Sequence, residues 1–135
     1  FPTQPLERAK HAAAIALADE LSRELFQFLK QKKSEIRALN RLDHLLSIIE
    51  KQIQGDYYFG EEFYFVDLVF IPHLLQINAL EQNLLPFSML QRYKRLYNWF
   101  HRITERVSVK EISRNFNQHF IEHLYKQDLV AHLKN

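Results

Sequence analysis

The stretch EEFYFVDLVFIPHL, residues 61–74, decides the fold because it places one aspartate, Asp67, in a run of large apolar side chains. Burying a carboxylate among such neighbours is costly unless hydrogen-bond donors surround it. If a helix starts near Tyr64, Asp67 is its third residue, where the carboxylate accepts from the N-cap backbone N–H at the positive end of the helix dipole. The sequence therefore predicts a structural, N-capping role for Asp67. The rival interpretation, a catalytic acid in an apolar pocket, lacks a partner carboxylate nearby in the sequence.

The rest of this stretch predicts a helix with a kink. Leu68, Ile71, Leu74 and Leu75 share one helical face. Pro72 lacks the N–H that an interior helical hydrogen bond requires, so we expect the helix to bend there.

Helical spacing of apolar residues recurs on both sides of this segment. The face predicted for the first helix consists of Leu6, Ala9, Ala13, Ala16 or Leu17, Leu21 and Leu25. A second helix runs from Ile36 to Ile53, with Gly55 as its C′ residue. The face predicted for a later helix, which carries Trp99, consists of Tyr93, Leu96, Tyr97, Phe100 and Ile103. The tail is also predicted to be helical from Val109 to Leu133, with core candidates Phe116, Phe120, Leu124 and Leu133.

Composition favours one all-α domain spanning residues 1–135. The 135 residues are 47% hydrophobic, but only two are glycine and four are proline, which leaves few turn residues for β-hairpins. The chain has no cysteine, so disulfides, zinc-thiolate sites and thiol nucleophiles are excluded within it. The net charge of +2 provides no large field for nucleic acid or anionic lipid, and no apolar run is long enough to span a membrane.

The histidines suggest a metal site that the rest of the sequence does not support. HFIEH, residues 119–123, fits the H-x-x-E-H pattern of inverted zincins. Such enzymes need a further acidic ligand well downstream, and only a short tail follows, so we predict no metal site. His44, His73 and His101 occur singly on helical stretches and are interpreted as partly buried or surface residues.

Residues 55–74, GDYYFGEEFYFVDLVFIPHL, resemble the segment of cytosolic glutathione transferases in which a glycine-containing turn leads into a capped helix with a fixed aspartate and a mid-helix proline. PLERA, LDHLLSIIE, YKRLYNWFHRI and ERVSVK resemble other segments of that family's all-helical C-terminal domain, in the same order. Two positions depart from the family pattern. Tyr64 replaces the usual N-cap Ser or Thr, so only half of the capping box is expected, and Lys94 replaces the proline of a Tyr-Pro pair.

This resemblance implies a helical bundle of five to six helices. It also implies an upstream thioredoxin-like domain that binds glutathione and supplies the residue that activates its thiol. Because the chain starts at Phe1 and not at Met, we expect it to be part of a longer protein. The helical domain alone is not expected to be catalytic. The parent protein is expected to be cytoplasmic and homodimeric.

In the family, the helical domain contributes a hydrophobic pocket for the second substrate, largely from its first helix. Arg8, His11, Ile15 and Asp19 form a stripe beside the alanine-rich face of that helix and are our candidates for the pocket wall. The alternative is that this stripe is merely exposed. A second functional hypothesis also stays open, in which the domain is a non-catalytic module for protein–protein interaction, because fold does not fix function.

Overall fold

The computed structural model describes residues 4–30, 37–85, 88–106 and 119–126. Helices dominate these ranges, and the predicted all-α class is confirmed. The helices are α1 (Pro5–Lys30), α2 (Arg37–Gln52), α3 (Val66–Val69), α4 (Ile71–Asn83), a 3-10 helix (Leu90–Arg92), α5 (Lys94–Thr104) and α6 (residues 119–126). The described ranges contain no β-strand, and an isolated bridge joins Tyr57 to Gly60.

One apolar core lies between the helices. Helix α1 packs against α2, α3 and α4, while α5 packs against α2 and α4. The largest fully buried side chains are Trp99, Tyr58, Phe70, Phe100, Leu21, Leu25, Leu42, Leu46, Ile49, Leu74, Ile77 and Leu80. Full burial of one such aliphatic or aromatic side chain contributes about 1.5–3 kcal/mol, so this core is the main source of stability.

The buried face of α1 differs from the predicted one in its first half. Its buried residues are His11, Ala14, Ala18, Leu21, Leu25 and Leu29. Leu21 and Leu25 were predicted correctly, and Leu17, the alternative to Ala16, is half-buried against the core. Leu6 is 68% exposed, and Ala9, Ala13 and Ala16 are also exposed. The prediction failed because alanines dominate residues 9–18, so several stripes of this helix satisfy the same periodicity.

The predicted kinked helix is interrupted at Phe70, which separates α3 from α4. Pro72 lies in the first turn of α4, where its missing N–H costs no hydrogen bond, and the first helical bond there runs from Leu74 N–H to Phe70 O over 3.1 Å. Ile71 and Leu74 are buried as predicted, but Leu68 is 37% exposed. The prediction that Leu68 belongs to the shared buried face was wrong, because the break at Phe70 changes the helical register between Leu68 and Ile71.

Gly55 is not the C′ residue of α2, because that helix ends at Gln52. Gly55 serves a close approach instead: a Cβ atom at this position would lie 2.9 Å from the carbonyl oxygen of Gly60. Gly60 itself has φ of 130°, a backbone conformation that only glycine adopts readily. Both glycines therefore shape the turn between α2 and α3.

The predictions for the tail are only partly covered by the described residues. Phe120 and Leu124 are buried on α6, as predicted, while Phe116 and Leu133 lie outside the described ranges. The extent of a single domain over residues 1–135 stays a prediction. None of the described helices combines the length and the apolar character that a bilayer crossing requires.

Candidate functional site

Asp67 lies at the centre of the structure, fully buried, and its carboxylate accepts three hydrogen bonds. The backbone N–H of Tyr64 donates to Oδ2 over 2.8 Å, which is the bond that the sequence predicts. The predicted position in the helix differs, because α3 begins at Val66, so Asp67 is its second residue and Phe65 is its N-cap residue. The backbone N–H of Tyr58 and the indole Nε1–H of Trp99 donate to Oδ1 over 2.7 and 2.8 Å. Asp67 thus connects the start of α3 to the preceding turn and to α5, and these donors offset the cost of burying its charge.

Aromatic rings surround this carboxylate. Tyr58 stacks on Phe70 with ring centroids 5.2 Å apart, and Trp99 lies 5.6 Å from both rings. The hydroxyl of Tyr58 donates to Gln52 Oε1. Burial raises the pKa of the Tyr58 hydroxyl, and the neighbouring charge of Asp67 raises it further, so this tyrosine stays neutral. Asp67, Tyr58, Phe70 and Trp99 thus form a fully buried cluster whose side-chain polar atoms are hydrogen-bonded within the protein.

Tyr64 does not complete the capping box. Its hydroxyl donates to Glu62 over 3.0 Å, and no side chain caps the first N–H groups of α3. Because a phenol is too long for the usual cap geometry, the box consists of the Asp67 bond alone.

His11, one of the four predicted wall residues, is 2% exposed. Its ring lies between Phe59 and Tyr64, with centroids 4.6 and 5.0 Å away. Burial lowers the pKa of His11, and the charges of Glu7 and Asp67 partly oppose this effect. His11 therefore belongs to the contact between α1 and the turn before α3, next to Asp67.

The other three wall residues have different surroundings. Arg8 and Asp19 are exposed on α1, and Ile15 is half-buried. The structure thus separates His11 from the rest of the stripe, which remains on the outside of the helix. Three surface depressions, of about 430, 360 and 310 Å³, lie along α2, and none of the three is lined by a residue of the predicted wall.

His73 lies near this stripe, a neighbour that sequence reasoning missed. It is half-buried on α4, and burial lowers its pKa while the charge of Asp19 on α1 opposes that shift. Asp19 and His73 are far apart in the sequence, and only the packing of α1 on α4 brings them near each other. No local pattern could have paired them.

A second acidic residue organises the start of α5. The N-cap residue of this helix, Tyr93, makes no side-chain capping bond. Glu50 on α2 replaces it: Oε1 accepts from the backbone N–H of Arg95 over 3.0 Å, and Oε2 accepts from that of Leu96 over 2.6 Å. A carboxylate here also complements the positive end of the helix dipole.

Two turns earlier on α2, Asp43 binds the residues that precede α5. Its Oδ1 accepts from the Tyr93 hydroxyl over 2.7 Å and from the Arg92 guanidinium over 2.8 Å. Burial, together with the hydrogen bond to Asp43, raises the pKa of Tyr93 to about 12. Asp43 on α2 therefore anchors the segment before α5, in which Lys94 follows Tyr93.

The H-x-x-E-H residues lie on α6 with their side chains exposed: His119, Glu122 and His123. Within the described ranges, no group of three or more His, Cys, Asp or Glu residues is placed to hold a metal ion.

Comparison with known proteins identifies one family. The family described as "Glutathione S-transferase, C-terminal domain" matches residues 9–106, a range that includes most of α1 and all of α2 to α5. No curated protein sequence and no solved structure matches the chain significantly.

Proposed function

Because the chain belongs to the glutathione S-transferase C-terminal domain family, we propose that it is the second-substrate half of a glutathione-dependent transferase. The family match over residues 9–106 is the observation that carries this proposal. In the proposed reaction, the thiolate of glutathione attacks an electrophilic carbon and forms a thioether while the leaving group departs. This domain holds the apolar part of the electrophile near the thiolate, and such positioning accelerates a two-substrate reaction.

Glutathione itself is bound, in this proposal, mainly by a thioredoxin-like domain of the same parent protein. Two large apolar side chains near the starts of α1 and α3 are exposed, which favours a surface where such a domain docks. Leu6 in the first turn of α1 is 68% exposed, and Phe65 just before α3 is 61% exposed. The first half of α1 and the segment before α3 are neighbours, since the ring of His11 lies 5.0 Å from that of Tyr64. A docked domain would cover both side chains.

The proposed pocket wall is the outer stripe of α1. Ile15 supplies an apolar surface, and exposed Arg8 and Asp19 on either side of it offer opposite charges that can orient a polar substituent. His11 is not part of the surface of this wall. It supports the wall from the buried side, where its ring packs against Phe59 and Tyr64. The proposed electrophile is therefore a hydrophobic small molecule.

The test uses the intact parent protein on immobilised glutathione, followed by conjugation kinetics. We expect retention on the resin, and Ile15→Ser should raise KM for an apolar electrophile with little change in KM for glutathione. The matched control is Ala16→Ser, at a neighbouring exposed position of α1. Failure of the parent to bind glutathione would overturn the proposal, and so would turnover by the 135-residue chain alone.

We further propose that the parent is a cytoplasmic homodimer, as the family resemblance implies. Sedimentation equilibrium of the intact parent tests the dimeric state directly. A mass of two subunits is expected, and a mass of one subunit at all concentrations would contradict it.

A second candidate function is a non-catalytic interaction module. The exposed Leu6 and Phe65 also favour this function, because a separate protein could cover them as well as an upstream domain. The glutathione experiment separates the two. A parent that does not bind glutathione, but forms a stable complex that Phe65→Ser disrupts, is an interaction module.

A further inference from the structure

The largest of the three depressions lies where α2 ends and α5 begins. It has a volume of about 430 Å³ and is lined by Lys51, Ile53, Gln54, Gly55 and Arg95. Its volume is within the range of small-molecule sites, roughly 300–1,000 Å³. None of its residues belongs to the proposed substrate wall.

Both charged residues of this depression are cations, and they come from different helices. Lys51 and Arg95 are exposed, and neither forms an ion pair with another residue in the described part of the chain. The carboxylate of Glu50, which precedes Lys51 on α2, accepts from backbone N–H groups of α5 through both of its oxygens. Asp56, just beyond the depression, pairs with Arg102 at 3.6 Å.

The rest of the lining is uncharged. Ile53 is 2% exposed, and a Cβ atom at Gly55 would lie 2.9 Å from the carbonyl oxygen of Gly60 and 3.1 Å from a carboxylate oxygen of Glu61. The first N–H groups of α5 are not available to a ligand, because Glu50 occupies those of Arg95 and Leu96. The two side-chain cations must therefore supply the binding energy.

We propose that this depression is an anion site that takes a small phosphate-bearing ligand between Lys51 and Arg95. A dianionic phosphate matches two cations that come from different helices, and the guanidinium group of arginine binds phosphate oxygens in pairs. The site is independent of the proposed transferase function, because its lining contains no residue of the proposed pocket wall and it needs no glutathione.

The test is a titration of the 135-residue chain with inorganic phosphate at constant ionic strength, with chloride as the balancing anion. The backbone amide signals of Gly55 and Arg95 are followed by NMR. We expect saturable shifts at these amides with phosphate and none with chloride alone. Shifts that grow linearly without saturation, or that chloride reproduces, would overturn the proposal.

Variants identify the cations that bind. Lys51→Gln and Arg95→Gln are each expected to weaken phosphate binding about tenfold, because each removes a charge-assisted hydrogen bond. Arg95→Gln keeps the backbone N–H that bonds to Glu50, so the cap of α5 is retained, and circular dichroism checks this. The control is Lys94→Gln, which removes an adjacent exposed charge outside the lining. An equal loss with the control would show a general charge effect and would contradict the site.

Discussion

Asp67 and Glu50 both bring a carboxylate to the start of a helix, but they do so at very different ranges. Asp67 is fully buried and accepts from Tyr64, three residues before it, as well as from two more distant donors. Glu50 is half-buried and caps α5 from sequence separations of 45 and 46 residues. The comparison teaches that a local cap can be predicted from sequence, whereas a cap supplied by another helix requires the structure.

The first prediction concerns removal of the Asp67 carboxylate. Asp67→Ala should lower the free energy of unfolding by about 3–5 kcal/mol, because it leaves the donors of Tyr58, Tyr64 and Trp99 without their acceptor. Urea unfolding followed by circular dichroism measures the loss. Asp67→Asn keeps the shape and one carbonyl oxygen, so it should lose less. Near-equal stability of wild type and Asp67→Ala would contradict the role assigned to this carboxylate.

The second prediction concerns removal of the Glu50 carboxylate, for which we expect a smaller loss of stability. Glu50→Ala should cost about 0.5–2 kcal/mol, the usual value of a helix cap, because water can reach the freed N–H groups more easily there. Hydrogen exchange should speed up at the amides of Arg95 and Leu96 but not at that of Tyr58. Glu105→Ala, at an exposed position after α5, is the control and should change stability little. Faster exchange at Tyr58 as well would show that the two sites are not separate.

The third prediction concerns how the free energy of unfolding depends on pH through His11, which lies next to Asp67. Burial lowers the pKa of His11 in the folded state, so protonation favours the unfolded chain, and stability should fall as the pH drops below the ordinary histidine pKa of about 6.5. For one such group the slope is at most about 1.4 kcal/mol per pH unit. The loss of structure on acidification should begin in the segment before α3, next to Asp67, because His11 contacts Tyr64 there.

Unfolding curves between pH 7 and pH 5, roughly the range in which histidines titrate, test this sign. His11→Gln should flatten the dependence, leaving the contribution of His73, whose pKa burial also lowers. His44→Gln removes an exposed histidine of α2 and should leave the slope as it is. Stability that rises on acidification, or a slope that His11→Gln does not change, would contradict the account.

The sequence predicted the elements of the fold well where large side chains define one face. Leu96, Phe100 and Ile103 are buried on α5 as expected. The face of α1 was wrong in its alanine-rich half, where small side chains leave the stripe ambiguous. The break at Phe70 was expected only as a kink, because periodicity cannot distinguish a bent helix from two helices that meet.

The candidate site was less predictable. The bond from Tyr64 to Asp67 follows from a three-residue spacing, but the bond from Trp99 has no local signal. For Glu50 a weak signal exists, since Tyr93 is a poor N-cap and α5 therefore needs an acceptor from elsewhere. Which acidic residue supplies it depends on how α2 packs against α5. The role of the outer stripe of α1 stays a prediction.

The central claim is that Asp67 joins α3 to α5 through Trp99, and a double-mutant cycle tests it most directly. The free energies of unfolding of wild type, Asp67→Asn, Trp99→Phe and the double variant are compared. Since a hydrogen bond to a charged group is stronger than a neutral one, we expect a coupling of about 1 kcal/mol. Additivity within about 0.3–0.5 kcal/mol would show that the two side chains act independently and would contradict the claim.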